Sequence, residues 1–369
     1  MAESKTYKII VAGGGTGGHI FPAVSIANAF KQMYPNADIL FVGAKGKMEM
    51  EKVPKEGYKI IGLDIVGFNR SSLLKNISLP FKILKSFLQA KKILNEFKPD
   101  AVVGVGGFAS FPVLYMAQKL NIPTLLQEQN SYAGKSNKIL GKKASVICVA
   151  YDNMERFFPK EKIVKTGNPI RQTIAHNQIS KEQGTQFFNL NQNQKIVFAF
   201  GGSLGAKSIN EALLSQLNKL VENNIQLIWQ TGTAFFNKAK EASQYAESSI
   251  KVFDFLREMD YAYSAADIII ARAGASSISE LSFVGKPVIF VPYPFASEDH
   301  QTHNAMALVQ KNAAAILKDN ETQSHLINNI LELINDEDKC KRMSENIKTF
   351  AMHDADKTIA QHLIKIIKQ

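Results

Sequence analysis

Short apolar runs that end in glycine recur along the chain, and they predict buried strands of parallel sheets. Residues 7–12 form such a run, the loop Gly-Gly-Gly-Thr-Gly-Gly follows at 13–18, and residues 22–34 carry apolar positions at helical spacing. The same order of strand, glycine loop and helix begins again with the apolar residues 195–200 and the loop Gly-Gly-Ser-Leu-Gly at 201–205. Two such starts predict two separate sheets.

Further apolar runs complete this pattern. We expect additional strands at residues 39–42, 100–104, 145–149, 225–230, 251–255, 268–271 and 288–291. Strands that alternate with helical segments predict an α/β protein with right-handed crossovers. The expected fold is two Rossmann-like, doubly wound domains separated by a cleft. We place the domains at residues 1–166 and 167–340, with terminal helices at 341–369 that can pack back on the first domain.

Positive charge is concentrated in the first of these domains. The chain has 44 Lys and Arg against 33 Asp and Glu, a net charge of +11. Residues 1–166 hold 24 of the basic and 12 of the acidic residues. Such an excess of positive charge attracts anionic partners, although it also improves solubility. The two cysteines predict no disulfide framework, and we find no secretory signal and no apolar run of about 18 residues. We therefore expect a cytoplasmic protein that lies on a membrane rather than across it.

One stretch, residues 66–95, contains no Asp or Glu. Its basic residues are Arg70, Lys75, Lys82, Lys85, Lys91 and Lys92. The residues between them are mostly aliphatic, which favours an anionic membrane surface over nucleic acid, where stacking aromatic residues are expected. The alternative is a pair of ordinary helices whose apolar faces belong to the core.

The first glycine loop fits G-x-G-x-x-G, which alone is weak evidence for a dinucleotide site. NAD binding also calls for an acidic residue at the end of the second strand, and residues 41–45 offer none. A P-loop is excluded because the chain has no G-x-x-x-x-G-K-[ST] motif. What remains is a set of glycine loops that can present backbone N–H groups to an anion.

Four polar side chains near these loops are candidates for chemistry, and three of them also have a structural alternative. His19 can accept a proton from a hydroxyl, or it is a hydrogen-bonded structural histidine. Glu280 can accept both hydroxyls of a ribose, or it is a favourable charge near a helix N-terminus. Arg171 can neutralise a diphosphate, or it forms a salt bridge between domains. Asn130 lies near the end of an expected strand.

Seven motifs follow one another in a specific order. They are Gly-Gly-Gly-Thr-Gly-Gly-His-Ile-Phe-Pro at 13–22, Gly-Val-Gly-Gly-Phe-Ala-Ser-Phe-Pro at 104–112, Glu-Gln-Asn at 128–130, Gly-Asn-Pro-Ile-Arg at 167–171, Gly-Gly-Ser-Leu-Gly-Ala at 201–206, Arg-Ala-Gly-Ala-Ser-Ser-Ile-Ser-Glu at 272–280 and Asp-His-Gln-Thr-His-Asn at 299–304. The ordered set spans nearly the whole chain. It resembles the MurG family, the UDP-N-acetylglucosamine:undecaprenyl-pyrophosphoryl-muramoyl-peptide transferases of peptidoglycan synthesis.

The resemblance implies a GT-B fold and an inverting transfer that requires no metal or other cofactor. The donor would be UDP-N-acetylglucosamine (UDP-GlcNAc), held mainly by the C-terminal domain. The acceptor would be lipid I, and the product would be lipid II. The family resemblance also implies a peripheral enzyme on the cytoplasmic face of the inner membrane.

The resemblance also implies a role for individual residues. His19 would be the catalytic base that activates the C4 hydroxyl of the acceptor. The implied donor contacts are Thr16, Gly17 and Gly18 with sugar and diphosphate, Asn130 and Gln301 with sugar, Arg171 and Ser203 with phosphate, the backbone at Leu256 with uracil, and Ala275, Ser276, Ser277, Ile278, Ser279 and Glu280 around diphosphate and ribose. The implied acceptor-diphosphate contacts are Gly14, Gly15, Gly106 and Gly107.

Three positions depart from the family pattern, because many members have His at Gln127, Tyr at Phe108 and Gln at Leu204. The competing functions are a glycolipid glycosyltransferase or a UDP-GlcNAc 2-epimerase of the same fold, and a non-catalytic UDP-sugar-binding protein. An NAD-dependent oxidoreductase is disfavoured by the missing acid.

Overall fold

The computed structural model describes residues 6–65 and 79–368, which form two compact units. The first unit comprises Met1–Ile170 and Met352–Gln369, and the second comprises Arg171–Ala351. Residues 66–78 of the basic stretch lie outside the described residues.

The described part of the first unit contains one parallel sheet of seven strands. They are β1 (Lys8–Ala12), β2 (Asp38–Ala44), β3 (Lys59–Leu63), β4 (Ala101–Gly104), β5 (Thr124–Glu128), β6 (Val146–Val149) and β7 (Ile163–Lys165). The strand order is β3-β2-β1-β4-β5-β6-β7. The order reverses between β1 and β4, and such a switch point opens a crevice beyond the carboxyl ends of its two strands. The glycine loops at 13–18 and 104–107 follow these two strands.

The second unit repeats this design with a parallel sheet of six strands. They are β8 (Lys195–Phe200), β9 (Ile225–Gln230), β10 (Ile250–Phe253), β11 (Ile268–Ala271), β12 (Val288–Phe290) and β13 (Ala315–Ile316). The order β10-β9-β8-β11-β12-β13 puts the switch point between β8 and β11. The glycine loop at 201–205 and the motif at 272–280 therefore lie at one crevice of this unit.

Helices cover both sheets. Those of the described residues are α1 (Gly17–Met33), α2 (Glu49–Lys55), α3 (Leu79–Phe97), α4 (Ser110–Lys119), α5 (Lys135–Gly141), α6 (Gln172–Ala175), α7 (Lys181–Phe187), α8 (Lys207–Ser215), α9 (Leu217–Glu222), α10 (Thr233–Ser243), α11 (Met259–Ala265), α12 (Ala275–Val284), α13 (His300–Val309), α14 (Thr322–Asn335), α15 (Glu337–Lys348) and α16 (Ala355–Lys368). Short 3-10 helices lie at Met154–Arg156, Lys160–Lys162, Gln244–Ala246, Ser297–Asp299 and Asp319–Glu321. No helix within residues 6–65 and 79–368 is long and apolar enough to cross a membrane.

The cores explain why the chain divides in this way. In the first unit, the terminal helix α16 packs on α1, and its residues Ile359 and Leu363 are buried in one cluster with Ile26 and Phe30. In the second unit, Trp229 of β9 is fully buried, and its indole nitrogen donates to Asn210 at 3.0 Å. Strands buried on both faces need apolar residues at almost every position, which produces the continuous apolar runs of this sequence.

Candidate active site

The first glycine loop is held in place through its own amides. Gly13 N donates to Val42 O at 3.1 Å and Gly14 N to Gly106 O at 3.3 Å. Gly15 N donates to a carboxylate oxygen of Glu49 at 2.8 Å. These bonds correct the expectation that the whole loop offers free N–H groups. Of the amides of this loop, those of Thr16, Gly17 and Gly18, where α1 begins, have no acceptor among the described residues.

Glu49 is a site residue that the sequence patterns missed. It is buried in the first turn of α2, and its second carboxylate oxygen accepts from Ala44 N at 2.9 Å. A Cβ built on Gly14 would collide with the Glu49 side chain. The Glu49 carboxylate therefore accepts backbone N–H groups inside the loop. It stabilises the loop and does not occupy the place of an acid that binds a ribose.

His19 lies in the first turn of α1 and is fixed by the same loop. Its Nδ1 lies 3.1 Å from Gly14 O and 3.2 Å from Thr16 Oγ1. Because a carbonyl oxygen only accepts, a hydrogen bond to Gly14 O puts the proton on Nδ1 and makes Nε2 the basic nitrogen. Nε2 is next to the second loop, since a Cβ built on Gly106 would lie 2.8 Å from it.

The second glycine loop packs directly on the first. Gly106 and Gly107 have φ of +93° and +86°, which side chains rarely adopt. A Cβ on Gly107 would collide with the carbonyl oxygen of Gly14. Both glycines are therefore required for the two loops to meet at His19.

Asn130 is positioned by the buried carboxylate of Glu128 at the end of β5. One oxygen of Glu128 accepts from the backbone N and from Nδ2 of Asn130, at 3.1 and 3.2 Å. The other accepts from Gly134 N at 3.2 Å and from Asn137 Nδ2 at 2.8 Å. Burial raises the pKa of Glu128, and these hydrogen bonds oppose that shift.

In the second unit, Arg171 and Glu280 bind each other. Arg171 Nε and Nη2 donate to the two carboxylate oxygens of Glu280, both at 2.7 Å. The hydroxyl of Tyr263 donates to the same carboxylate at 3.2 Å, and burial raises the pKa of Tyr263 well above its usual value. The residues expected on diphosphate and on ribose thus form one cluster.

The N-terminus of α12 presents polar groups at the switch point of the second sheet. The first hydrogen bond of this turn is donated by Ile278 N, so the amides of Ala275, Ser276 and Ser277 precede it. Ser276 Oγ is buried and has no hydrogen-bond partner among the described residues. Ser279 Oγ donates back to Ala275 O at 3.0 Å. This end of α12 is suited to hold an anion.

The remaining predicted donor residues lie on neighbouring loops of the second unit. The amide of Leu256, whose backbone is expected to meet uracil, donates to Gln230 Oε1 at 3.0 Å. Gln301 accepts from Tyr293 N at 2.9 Å through Oε1, which leaves its side-chain NH2 group to donate. Ser203 is exposed in the loop after β8.

Comparison with known proteins identifies the family. The N-terminal domain model of glycosyltransferase family 28 matches residues 9–149, and the C-terminal domain model matches residues 196–359. The chain is 50% identical to the UDP-N-acetylglucosamine--N-acetylmuramyl-(pentapeptide) pyrophosphoryl-undecaprenol N-acetylglucosamine transferase of Parabacteroides distasonis, over 98% of the chain and 99% of that enzyme. The relative of the same name from Phocaeicola vulgatus is 52% identical over 97% of the chain and 96% of the relative. The chain belongs to the MurG family.

Solved structures agree with this assignment. The crystal structure of MurG from Acinetobacter baumannii matches with a TM-score of 0.77 and 30% identity, over 98% of this chain and 99% of that one. UDP-GlcNAc 2-epimerase from Neisseria meningitidis matches with a TM-score of 0.69 but 17% identity, which shows a shared fold alone. The GT-B fold and the glycosyltransferase class are confirmed, and the epimerase alternative is not favoured.

Two of the three departures from the MurG family pattern are exposed, and one is buried. Phe108 and Leu204 are 49% and 87% exposed. Gln127, where many members have His, is buried and donates to Asn168 Oδ1 at 2.8 Å. Gln127 thus ties β5 to the Gly-Asn-Pro motif, a bond that requires only a donor at this position.

Proposed function

We propose that this protein transfers N-acetylglucosamine from UDP-GlcNAc to the C4 hydroxyl of N-acetylmuramic acid in lipid I, which forms lipid II for peptidoglycan synthesis. The observation that carries the proposal is the 50% identity, over 98% of the chain, to a transferase whose name states this sugar and an N-acetylmuramyl-(pentapeptide) pyrophosphoryl-undecaprenol acceptor. We assign the acceptor to the first unit and the donor to the second.

His19 is the proposed base. As the acceptor oxygen attacks the anomeric carbon, its proton passes to Nε2 of His19, and the bond from that carbon to the diphosphate oxygen breaks with inversion. The hydrogen bond from Nδ1 to Gly14 O orients the ring for this step. The products are the disaccharide on the lipid-linked acceptor and UDP, and the proton of the acceptor hydroxyl is held on His19.

The second unit stabilises the negative charge that develops on UDP. Donors at the end of a helix dipole are supplied by the amides of Ala275, Ser276 and Ser277 and by the hydroxyl of Ser276, which has no hydrogen-bond partner among the described residues. Arg171 adds positive charge, and Glu280 takes the ribose hydroxyls with oxygens that Arg171 and Tyr263 orient.

The test mixes the purified protein with UDP-GlcNAc and a lipid I analogue and follows both UDP release and disaccharide formation. His19→Ala should lower kcat by about 100- to 10,000-fold while donor affinity is kept, as expected for loss of a general base. Donor binding without any disaccharide in the wild-type protein would reject the transferase. UDP release without acceptor would instead favour an epimerase or a hydrolase.

We further propose that the stretch at residues 66–95 binds an anionic membrane, which places the enzyme on the cytoplasmic face of the inner membrane. Its described part is α3, where Ser86, Ala90, Ile93 and Leu94 face the core. The opposite side carries Phe81, Leu84 and Leu88, which are 76%, 62% and 62% exposed. Their spacing puts them on one stripe of the helix.

Lysines accompany this apolar stripe. Lys85 and Lys92 are exposed, although Lys85 also pairs with Asp64 at 2.8 Å and Lys92 with Glu96 at 3.7 Å. Apolar side chains among basic ones suit the interface of an anionic bilayer, and each basic residue near it contributes about 1 kcal/mol.

Vesicle binding tests this surface. Replacing Phe81, Leu84 and Leu88 with Ser, or Lys82, Lys85 and Lys91 with Glu, should weaken binding to phosphatidylglycerol vesicles and leave soluble-donor affinity unchanged. Tyr245→Ser is the control, because Tyr245 is 63% exposed but lies in the second unit. Unchanged vesicle binding in both triple variants would exclude α3 as the membrane contact.

A further inference from the structure

A cavity of about 270 Å³ lies at the amino-terminal ends of the strands of the second sheet. The proposed reaction does not use this end of the sheet. The cavity is lined by Lys195 at the start of β8, by Ile268 at the start of β11 and by Lys286 just before β12. These are the amino ends of the strands, whereas the glycine loop and α12 follow their carboxyl ends. At about 3.3 Å per residue, the length of β8 separates the cavity from the glycine loop at 201–205 by about 20 Å.

The walls of this cavity carry more positive than negative charge. Lys195, Lys286 and Lys341 line it, together with two acids, Asp267 and Glu337. Both carboxylate oxygens of Asp267 already have partners outside the three lysines: one binds Lys181 at 2.6 Å and the other accepts from Ile196 N at 2.8 Å. Glu337 is 87% exposed and lies 4.0 Å from Lys195, at the limit of an ion pair. The three lysines and two acids therefore leave the lining of the cavity with a net positive charge.

Lys286 is the most buried of these three lysines. It is partly buried, and its ammonium group has no ion pair or hydrogen bond with the described residues. Burial lowers the pKa of Lys286; Asp267 opposes this effect, and the charges of Lys181 and Lys348 add to it. Lys341 is exposed at the rim and likewise has no ion pair within the described chain. An anion in the cavity would relieve this repulsion.

We propose that this lysine pocket, formed by Lys195, Lys286 and Lys341, binds a small free phosphate or pyrophosphate group. Ammonium groups from three separate segments can surround such a group as point charges. Pockets for drug-sized ligands measure about 300–1,000 Å³, so this one fits a small anion better than a nucleotide. The site is independent of the transfer reaction and of the donor.

Cys340 provides a local probe because it lines the same cavity and is half-buried. The other cysteine, Cys148, is fully buried in the first unit. The rate of thiol labelling at Cys340, confirmed by peptide mass mapping, is measured in inorganic phosphate, in pyrophosphate and in chloride at equal ionic strength. An anion in the pocket should slow labelling about tenfold when its concentration is about ten times its Kd.

Variants separate this site from others that bind phosphate. Lys286→Met and Lys341→Met should each abolish most of the protection, while Lys240→Met, an exposed lysine on α10, should keep it. Lys341 is exposed, so its variant remains informative even if Lys286→Met folds poorly. The same measurement in saturating UDP removes any contribution from phosphate at the donor site.

Three results would overturn the proposal. They are equal labelling rates in phosphate, pyrophosphate and chloride, full protection in both pocket variants, or protection by phosphatidic acid vesicles without protection by the free anions. The last result would assign the lysines to a lipid headgroup. Loss of transferase activity alone would not bear on the site, because labelling reports the pocket directly.

Discussion

Arg171 donates hydrogen bonds to both carboxylate oxygens of Glu280, which lies 109 positions later in the sequence. Glu280 is nearly buried at 10% side-chain exposure, and Arg171 is 36% exposed. An arginine has five N–H donors, and this pair uses two of them. Arg171 can therefore orient the Glu280 carboxylate and still donate to a phosphate. The residues expected on ribose and on phosphate are thus coupled to each other.

This pairing predicts how donor binding responds to Arg171→Met. Affinity should fall for both uridine and UDP, because Glu280 loses the partner that orients it. The loss should be greater for UDP, by about 1.5–3 kcal/mol for a charged hydrogen bond to phosphate. Isothermal titration with the two ligands measures the difference. Equal losses would mean that Arg171 acts on the donor only through Glu280.

Much of the fold could be predicted because its strands are continuous apolar runs. The expected runs at 195–200, 225–230 and 268–271 coincide with β8, β9 and β11. By contrast, β5 was not among the expected apolar runs, although a strand end was expected near Asn130, because β5 ends in Gln127 and Glu128, whose burial depends on hydrogen bonds that no local pattern reveals. The edge strand β3 was missed because only its last residue, Leu63, is buried, so the strand lacks a continuous buried run.

The individual residues of the candidate site could be predicted from the sequence, but the hydrogen bonds between them could not. The glycine motifs predicted the positions of His19 and of the loops, because segments whose backbones pack closely together need glycine. The partners of those residues come from distant segments, as Glu49 does for Gly15 and Glu280 does for Arg171. The expected position of an acid at the end of the second strand is empty, and Glu49 comes a few residues later, in the first turn of α2.

A methyl group at Gly106 should act on His19. Gly106→Ala places a Cβ 2.8 Å from Nε2 of His19, so the ring must move. Misplacement of a reacting group by about 1 Å can cost about 100-fold in rate, and we expect a loss of that size in kcat. In a His19→Ala background the same substitution should have little further effect, because both act on one group.

The control for this prediction is Gly57→Ala. Gly57 has a similar φ of +84°, but nothing lies within 4 Å of a Cβ built on it. Backbone strain should destabilise both variants by about 1–2 kcal/mol, while only Gly106→Ala lowers kcat. Equal activity losses in the two variants would assign the effect to strain and not to His19.

Glu49→Gln should destabilise the first unit. The glutamine side chain keeps one oxygen for two backbone donors, so either Gly15 N or Ala44 N faces an NH2 group. A buried donor without an acceptor costs about 1–3 kcal/mol, which urea unfolding can measure. Glu51→Gln on the same helix is the control, because Glu51 is exposed and its carboxylate pairs with the exposed Lys55. Equal stability of Glu49→Gln and wild type would show that the loop does not depend on this carboxylate.

The buried carboxylate of Glu128 predicts a dependence of stability on pH. Its folded pKa is raised above the usual 4.5. Between 4.5 and the folded pKa, the folded state therefore binds more protons than the unfolded state, and the free energy of unfolding falls as pH rises. Glu128→Gln stays neutral and lacks this fall. The stability of wild type relative to the variant should be greatest below pH 4.5 and should decline toward neutral pH. Urea unfolding at a series of pH values tests this, and parallel curves for the two proteins would show that Glu128 titrates alike in both states.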